Sequence, residues 1–237
     1  MKIHKDMQQK SWQWFKARAG KVTASELKYL VTDGFQLRKW TTEMPNKYLH
    51  RKLAEKWRGE ALQSFQGNQQ TDQGLIYEEH ARAFFSSLLE SDIQTVGGIE
   101  SDDGRCWCSP DGLIGSDVGL EIKCPNADTH VGWLLAGGVP DEHVLQVQFS
   151  MLISELNHWW FLSYCRDFSH LAVEVAPDDK MVNLICVALQ GFNERYEAAF
   201  AELVKINGSP PPERKVFVPS PETQADPRAD MFQGVPP

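Results

Sequence analysis

The sequence has no long hydrophobic run. No apolar stretch approaches the roughly 20 residues that a membrane-spanning helix needs, and the opening residues, MKIHKDMQQKSW, are charged and lack an apolar core. The pattern therefore predicts neither a membrane span nor a secretory signal. We expect a cytoplasmic protein that has no membrane partner.

Cysteine is scarce, and its spacing indicates neither a disulfide framework nor a metal knuckle. The five cysteines are an odd number, at positions 106, 108, 124, 165 and 186, so a disulfide-stapled secreted protein is not indicated. Cys106, Cys108 and Cys124 could suggest zinc or an iron–sulfur cluster. However, CWC is not the usual C-x2-C spacing, and a fourth ligand has no obvious place. We predict buried thiols on strands instead.

Basic residues are sparse outside the first quarter of the chain. The net charge of the 237 residues is −8, which by itself argues against a nucleic-acid partner. Residues 1–58, however, hold 14 Lys and Arg against 5 Asp and Glu, a net charge of +9, and the remainder carries −17. Such asymmetry is typical of a local polyanion site on an otherwise acidic protein. Two solvated faces of unlike sign are the alternative.

The order of hydrophobic patterns predicts one mixed domain. Helices are predicted over 11–20, 23–30, 46–57, 71–90, 142–153 and 178–206, and strands over 93–99, 106–109, 118–124, 159–165 and 171–176. Gly20 is expected to end the first helix, Thr23 and Glu26 to form a capping box, and Gly191 to be a possible interruption of the last helix. The helix over 46–57 is predicted to be basic on its outer face. The fold class is α/β of the mixed α+β kind, with a central mixed sheet flanked by helices.

The domain is predicted to cover residues 1–206. Residues 207–237 contain eight of the 13 prolines and are expected to form an extended tail. We expect this tail to be held against the globular body, where it could cross a subunit boundary.

The stretch CSPDGLIGSDVGLEIKCP, residues 108–125, raises the first chemical question. If GLEIKC is a strand, Glu121 and Lys123 share one face and Leu120 and Ile122 share the other. Antiparallel pairing through a turn at 115–117 would bring Asp111 beside Glu121. Two gathered carboxylates repel unless a cation neutralises them, and hard oxygen ligands favour Mg²⁺ or Mn²⁺. A surface Glu–Lys ion pair is the alternative.

A third acid lies on the preceding helix. The predicted apolar stripe of that helix comprises Tyr77, Ala81, Phe84, Phe85 and Leu88. Glu79 lies opposite the stripe, but Glu78 lies at its edge, where a half-buried carboxylate needs a partner. The predicted cation cluster could be that partner. A neighbouring Lys or Arg is the alternative.

Five ordered motifs together resemble the phage-lambda-type exonuclease, a viral recombinase family with a restriction-enzyme-like nuclease fold. In chain order they are RAGKVTASE (18–26), GLIYEEHA (74–81), CSPDGL (108–113), GLEIKCP (119–125) and QVQFSM (146–151). The resemblance spans residues 11 to 175. It implies a magnesium-dependent exonuclease that digests linear double-stranded DNA processively from 5′ to 3′, releases mononucleotides and leaves 3′ overhangs for recombination by strand annealing.

The resemblance also assigns roles. It implies that Asp111, Glu121, the Ile122 backbone carbonyl and Glu78 bind two Mg²⁺ ions, for which Mn²⁺ can substitute. Lys123 would hold or deprotonate the attacking water, and Gln148 would position the water or the metal-bound network. All of these residues are present.

The resemblance also implies which residues hold the DNA end and which partners the protein has. Arg18 and Ser25 would hold the terminal 5′-phosphate, and the TASE helix start beside Ser25 would offer free amides to an anion. The resemblance implies a homotrimeric ring around linear double-stranded DNA, a single-strand annealing partner, and a phage or prophage protein in a bacterial host. An endonuclease of the same fold, and a DNA-binding module whose acids are structural ion pairs, are the alternatives.

Overall fold

The computed structural model describes residues 1–62 and 69–211, with the side chains of 69–76 left aside. The helices described are α1 (Trp12–Arg18), α2 (Glu43–Arg58), α3 (Gln69–Leu89), α4 (Ala127–Ala136), α5 (Asp141–Ser154) and α6 (Asp179–Asn207). A 3-10 helix covers Ala24–Tyr29. The strands described are β1 (Lys2–His4), β2 (Val22–Thr23), β3 (Ile93–Gln94), β4 (Gly98–Glu100), β5 (Cys106–Cys108), β6 (Gly112–Ile114), β7 (Val118–Lys123), β8 (His158–Ser163) and β9 (Leu171–Val175).

The strands form two sheets, and the larger one is mixed. Its order is β3-β6-β7-β8-β9, and the smaller sheet has the order β1-β4-β5-β2. In the larger sheet β7 and β8 run parallel, while the other neighbours are antiparallel. The predicted mixed sheet flanked by helices is confirmed.

Strand β7 is covered on both faces, which explains its nearly continuous burial. Leu120 and Ile122 point towards α3, where they pack with Ala81, Phe85 and Leu162. Glu121 pairs with Phe161 of β8 on the other face, which belongs to the larger core under α5. The predicted alternation of this strand is therefore confirmed.

Three expectations about the helices need correction. Among the described side chains of α3 (77–89), Ala81 and Phe85 are buried, whereas Phe84 and Leu88 are 38% and 51% exposed, because the line through 81, 85 and 89 faces the sheet. Helix α6 continues through Gly191 without interruption. The basic face of α2 is not wholly outward, since Lys52 is buried among acidic partners.

The capping box predicted for Thr23 and Glu26 is not formed. Thr23 makes no side-chain cap and its hydroxyl donates to Glu26 at 2.8 Å instead. Gly20 itself lies at φ 75° beyond α1, as predicted, and a side chain there would press on the backbone and Cβ of Lys56 in α2.

Helix α6 ends at Asn207, close to the predicted domain boundary at 206. Residues 212–237 lie outside the described residues, so the tail remains a prediction. No helix in residues 1–62 or 69–211 has both the length and the apolar character needed to cross a bilayer.

Candidate active site

The acidic cluster lies at the end of β7, where β6 begins. Asp111 precedes β6, its N–H donates to the Leu120 carbonyl at 2.9 Å, and its Oδ2 accepts from the Ile122 N–H at 2.6 Å. On the same strand edge Lys123 donates to the Glu121 carboxylate. Local strand pairing thus brings Asp111 beside Glu121 and Lys123, as the sequence predicted. It also places the Ile122 N–H against Asp111, whereas the metal-binding role that the resemblance gives to the Ile122 carbonyl stays a prediction.

The electrostatics of this cluster are those of an anionic site without enough positive charge. Burial, and then the carboxylates of Glu121 and Glu78, raise the pKa of Asp111 well above its usual value. Burial alone would lower the pKa of Lys123, but Glu121 and Asp111 outweigh it and raise that pKa. Lys123 is therefore held as an ammonium in this arrangement.

Glu78 is near the cluster but is turned to an arginine on its own helix. Arg82 donates to Glu78 Oε1 at 2.8 Å and, through Nε, to the Asp111 carbonyl at 2.8 Å. This is the partner that the alternative interpretation of Glu78 anticipated. Arg82 links α3 to the Asp111 turn, a contact that no sequence motif indicated.

The structure places Gln146, not Gln148, against the acidic cluster. Gln146 Nε2 donates to Glu121 Oε1 at 2.5 Å. The side chain of Gln148 is instead bound to the Ala176 carbonyl and the Asp178 N–H, both at 2.9 Å. The placement predicted for Gln148 is corrected, because two residues along a helix differ by about 200° and the docking of α5 selects the first glutamine.

The donor set fits a hard divalent cation with few protein ligands. Among the described residues, no group of three or more His, Cys, Asp or Glu side chains is gathered closely enough to form a ready-made metal cage. Two carboxylates, Asp111 and Glu121, do lie together beside the Ile122 backbone, with the Lys123 ammonium in contact with Glu121. Such sparse carboxylate ligation is typical of Mg²⁺, which keeps several waters and shares its site with substrate phosphates.

The Arg18 side chain packs on Trp14, which is itself hydrogen-bonded to the segment just before Asp111. Its guanidinium lies 4.1 Å from the ring of Trp14 and donates to Thr23 Oγ1 at 3.1 Å. Trp14 Nε1 in turn donates to Ser109 Oγ at 3.0 Å, two residues before Asp111. Ser25 is exposed at the start of the 3-10 helix. In the described part of the chain Arg18 makes no direct ion pair, and the Glu26 carboxylate nearby partly balances its charge.

A buried ion cluster of Lys52, Arg51, Glu26 and Glu55 stabilises the loop that follows Arg18. Lys52 lies 2.9 Å from Glu26 and 3.0 Å from Glu55, and Arg51 lies 2.8 Å from Glu26. Glu55 also accepts the Gly20 N–H at 3.0 Å. The cluster therefore fixes both ends of the loop that follows Arg18.

Two of the three cysteines predicted to be buried on strands are confirmed. Cys106 and Cys108 are buried on β5. For Cys124 the prediction is wrong, because it follows the end of β7 and is only partly buried. Burial, the largest cause, raises the pKa of Cys106 and Cys124 to about 12. Thiols with such a raised pKa are poor nucleophiles at neutral pH.

Comparison with known proteins identifies the family. A family model described as the YqaJ-like viral recombinase domain matches residues 13–157. The chain belongs to this family. The matched YqaJ-like region contains Arg18, Ser25, Glu78 and the whole cluster from Asp111 to Gln146. No curated protein sequence gives a significant match.

Solved structures agree with the YqaJ-like assignment. The alkaline exonuclease LHK-Exo from Laribacter hongkongensis is 26% identical, with a TM-score of 0.71 over 83% of this chain and 97% of that one. LHK-Exo in complex with dAMP gives a TM-score of 0.72 at the same identity and coverage. A phage-related exonuclease from Haemophilus somnus 129PT is 14% identical, with a TM-score of 0.57 over 77% and 96% of the two chains, and shows the shared fold. The fold is the restriction-endonuclease-like one.

Proposed function

We propose that this YqaJ-like protein is a magnesium-dependent exonuclease that degrades linear double-stranded DNA from 5′ to 3′. The observation that carries the proposal is the meeting of Asp111, Glu121 and Lys123 at one strand edge, with a deficit of positive charge. The likeness to an alkaline exonuclease over nearly the whole of that protein supports it. The dAMP bound to that relative is a nucleoside monophosphate, the kind of product such an enzyme releases.

The two carboxylates and the Ile122 carbonyl would hold the magnesium ions, with Glu78 joining once its side chain leaves Arg82. Bound magnesium, or manganese in its place, would supply the positive charge that stabilises the phosphoryl transition state. Lys123 Nζ would orient the attacking water beside Glu121. Its raised pKa means that it can accept a proton only after the negative charge around it has been offset. Gln146 would keep the Glu121 carboxylate in its orientation.

The end of the strand would be held by Arg18 and Ser25. Arg18 offers a planar fork of donors, matched to a terminal phosphate, on the platform of Trp14. An enzyme that grips a 5′-phosphate while cutting nearby would remove 5′ nucleotides and leave a 3′ single strand for an annealing protein.

A ring would suit processive digestion by an acidic chain. Three copies around the duplex would turn the basic residues 1–58 inward and concentrate positive potential in one channel. We propose such a homotrimer, with linear duplex DNA as substrate and a single-strand annealing recombinase as partner.

The test compares linear and covalently closed duplex DNA, each with Mg²⁺ or with EDTA, for wild type and Lys123→Ala. We expect wild type to degrade only the linear form and only with Mg²⁺, and Lys123→Ala to bind DNA without cleaving it. Cleavage of the closed circle would favour the endonuclease alternative. Cleavage in EDTA would contradict the role of the carboxylates.

A further inference from the structure

A cleft of about 480 Å³ opens beside the candidate site, and part of its lining has no role in the function proposed above. Glu78, Arg82 and Asp111 line one part of the cleft. Residues 5–10, here called segment 5–10, line another. The volume is in the range that binds small ligands and single nucleotides.

Segment 5–10 is fixed to the catalytic turn. Gln9 Nε2 donates to the Val96 carbonyl and to the Pro110 carbonyl, both at 2.9 Å. Pro110 immediately precedes Asp111. The segment therefore holds a set position relative to the acidic cluster, as a wall of a binding site must.

Lys10 adopts a backbone conformation that suits glycine. Its φ is 64°, in the left-handed region, where a side chain is strained. Strained residues of this kind gather at functional sites. Lys10 and Lys5 are both exposed, and in the described structure neither side chain has an ion pair or hydrogen bond. Two free ammonium groups thus stand at the rim of a cleft that ends on the candidate catalytic carboxylates.

We propose that Lys5 and Lys10 bind a backbone phosphate of the DNA strand that enters the cleft towards Asp111. This inference rests on the proposed function, because it takes nucleic acid as the substrate. The carboxylates of Glu78, Glu79 and Asp111 repel a phosphate in the same cleft. Arg82 is the cation beside them, but it is engaged by Glu78 and the Asp111 carbonyl, so the strand needs further positive charge from the lysines. Asp6, which lies between the lysines in sequence, weakens their attraction.

The experiment measures binding of a fluorescein-labelled linear duplex in EDTA between 50 and 200 mM NaCl, by anisotropy. The variants are Lys5→Gln, Lys10→Gln, Lys10→Gly and Asp6→Asn. Lys180→Gln is the matched control, since Lys180 is an exposed lysine at the start of α6. Helix α6 follows the end of β9, and that end pairs with the beginning of β8, at the opposite end of the strands from the catalytic edge. Thermal unfolding of each variant is recorded in parallel.

Each lysine substitution should weaken binding by about three- to tenfold and reduce the slope of log affinity against log salt by about 0.9, the value for one lost phosphate contact. Lys10→Gly should weaken binding without lowering Tm, because glycine relieves the strain of the left-handed backbone conformation. Asp6→Asn should tighten binding, and Lys180→Gln should change nothing.

Cleavage of the linear duplex with Mg²⁺ is measured on the same samples, so that the two ideas can fail separately. If wild type cleaves but the lysine variants keep its affinity and salt slope, the phosphate site is wrong and the proposed function stands. If the lysine variants lose affinity as expected while wild type never cleaves, the phosphate site stands and the proposed function is wrong.

Discussion

Replacing Lys52 by methionine tests whether the buried ion cluster holds the Arg18 loop. The Lys52 side chain is 3% exposed, and its ammonium is shared between Glu26 and Glu55. Methionine keeps most of the stem volume, so the main loss is the charge. Removing one partner of a buried pair costs about 3–5 kcal/mol. At about 2–4 °C per kcal/mol for a domain of this size, Tm should fall by about 6–20 °C.

The pH dependence of this loss has a definite sign. Burial alone would raise the pKa of Glu26, but Lys52 and Arg51 outweigh it and lower that pKa below its ordinary 4.5. A lowered carboxyl pKa contributes stability that is present above the ordinary value and is lost as pH falls through the folded-state value. The Tm difference between wild type and Lys52→Met should therefore be full at pH 7 and shrink below pH 4.5.

The assay is thermal unfolding by circular dichroism in EDTA, with Lys47→Met as the control on the same helix. Lys47 is 73% exposed and pairs with an equally exposed Glu43, so its loss should cost about 0.3–0.5 kcal/mol. Adding Glu55→Gln to Lys52→Met should recover part of the stability, because it removes a stranded carboxylate. Equal Tm values for Lys52→Met and Lys47→Met would show that the buried ion cluster contributes no more stability than an exposed ion pair.

Three further predictions concern the site itself. Gln146→Ala should lower turnover about 10- to 100-fold, because it removes a group that orients a metal ligand. Gln148→Ala should lower Tm more than turnover. Steady-state kinetics and thermal unfolding distinguish the two effects. Asp111→Asn should abolish cleavage yet raise Tm in EDTA, because it removes a buried carboxylate repelled by two others; a lower Tm would contradict this. Arg18→Ala should reduce the preference for a 5′-phosphate over a 5′-hydroxyl end by about tenfold or more, since each charge-assisted hydrogen bond contributes about 1.5–3 kcal/mol; unchanged discrimination would contradict the assignment.

The part of the site that depends on local geometry was predictable from the sequence. Glu121 and Lys123 lie on β7, and Asp111 immediately precedes β6, which a short turn joins to β7, so antiparallel pairing and the period-two alternation of side chains place the three together. The same holds for Gly20, whose left-handed conformation follows from its position after a helix.

The rest of the site depends on contacts between distant parts of the chain. Trp14 reaches Ser109 and Gln9 reaches Pro110 across 95 and 101 residues, and no pattern within one segment records such pairings. QVQ offers two glutamines, and only the packing of α5 decides which faces Glu121.

One missed feature did have a signal. Lys52 lies on the same helical stripe as Tyr48, Leu49 and Leu53, all of them buried. A lysine within an apolar stripe needs buried acidic partners, and Glu55 stood three residues away. The burial of the Lys52 side chain on α2 could thus have been predicted from the residue spacing.

We propose that this protein removes nucleotides from the 5′ ends of linear duplex DNA. The most direct measurement is a time course on a 5′-phosphorylated linear duplex carrying a radioactive label either at its 5′ ends or at its 3′ ends, in Mg²⁺. We expect the 5′ label to appear as mononucleotide from the first time points, while the 3′ label stays in long single strands. Early release of the 3′ label, or internal fragments from either substrate, would contradict it.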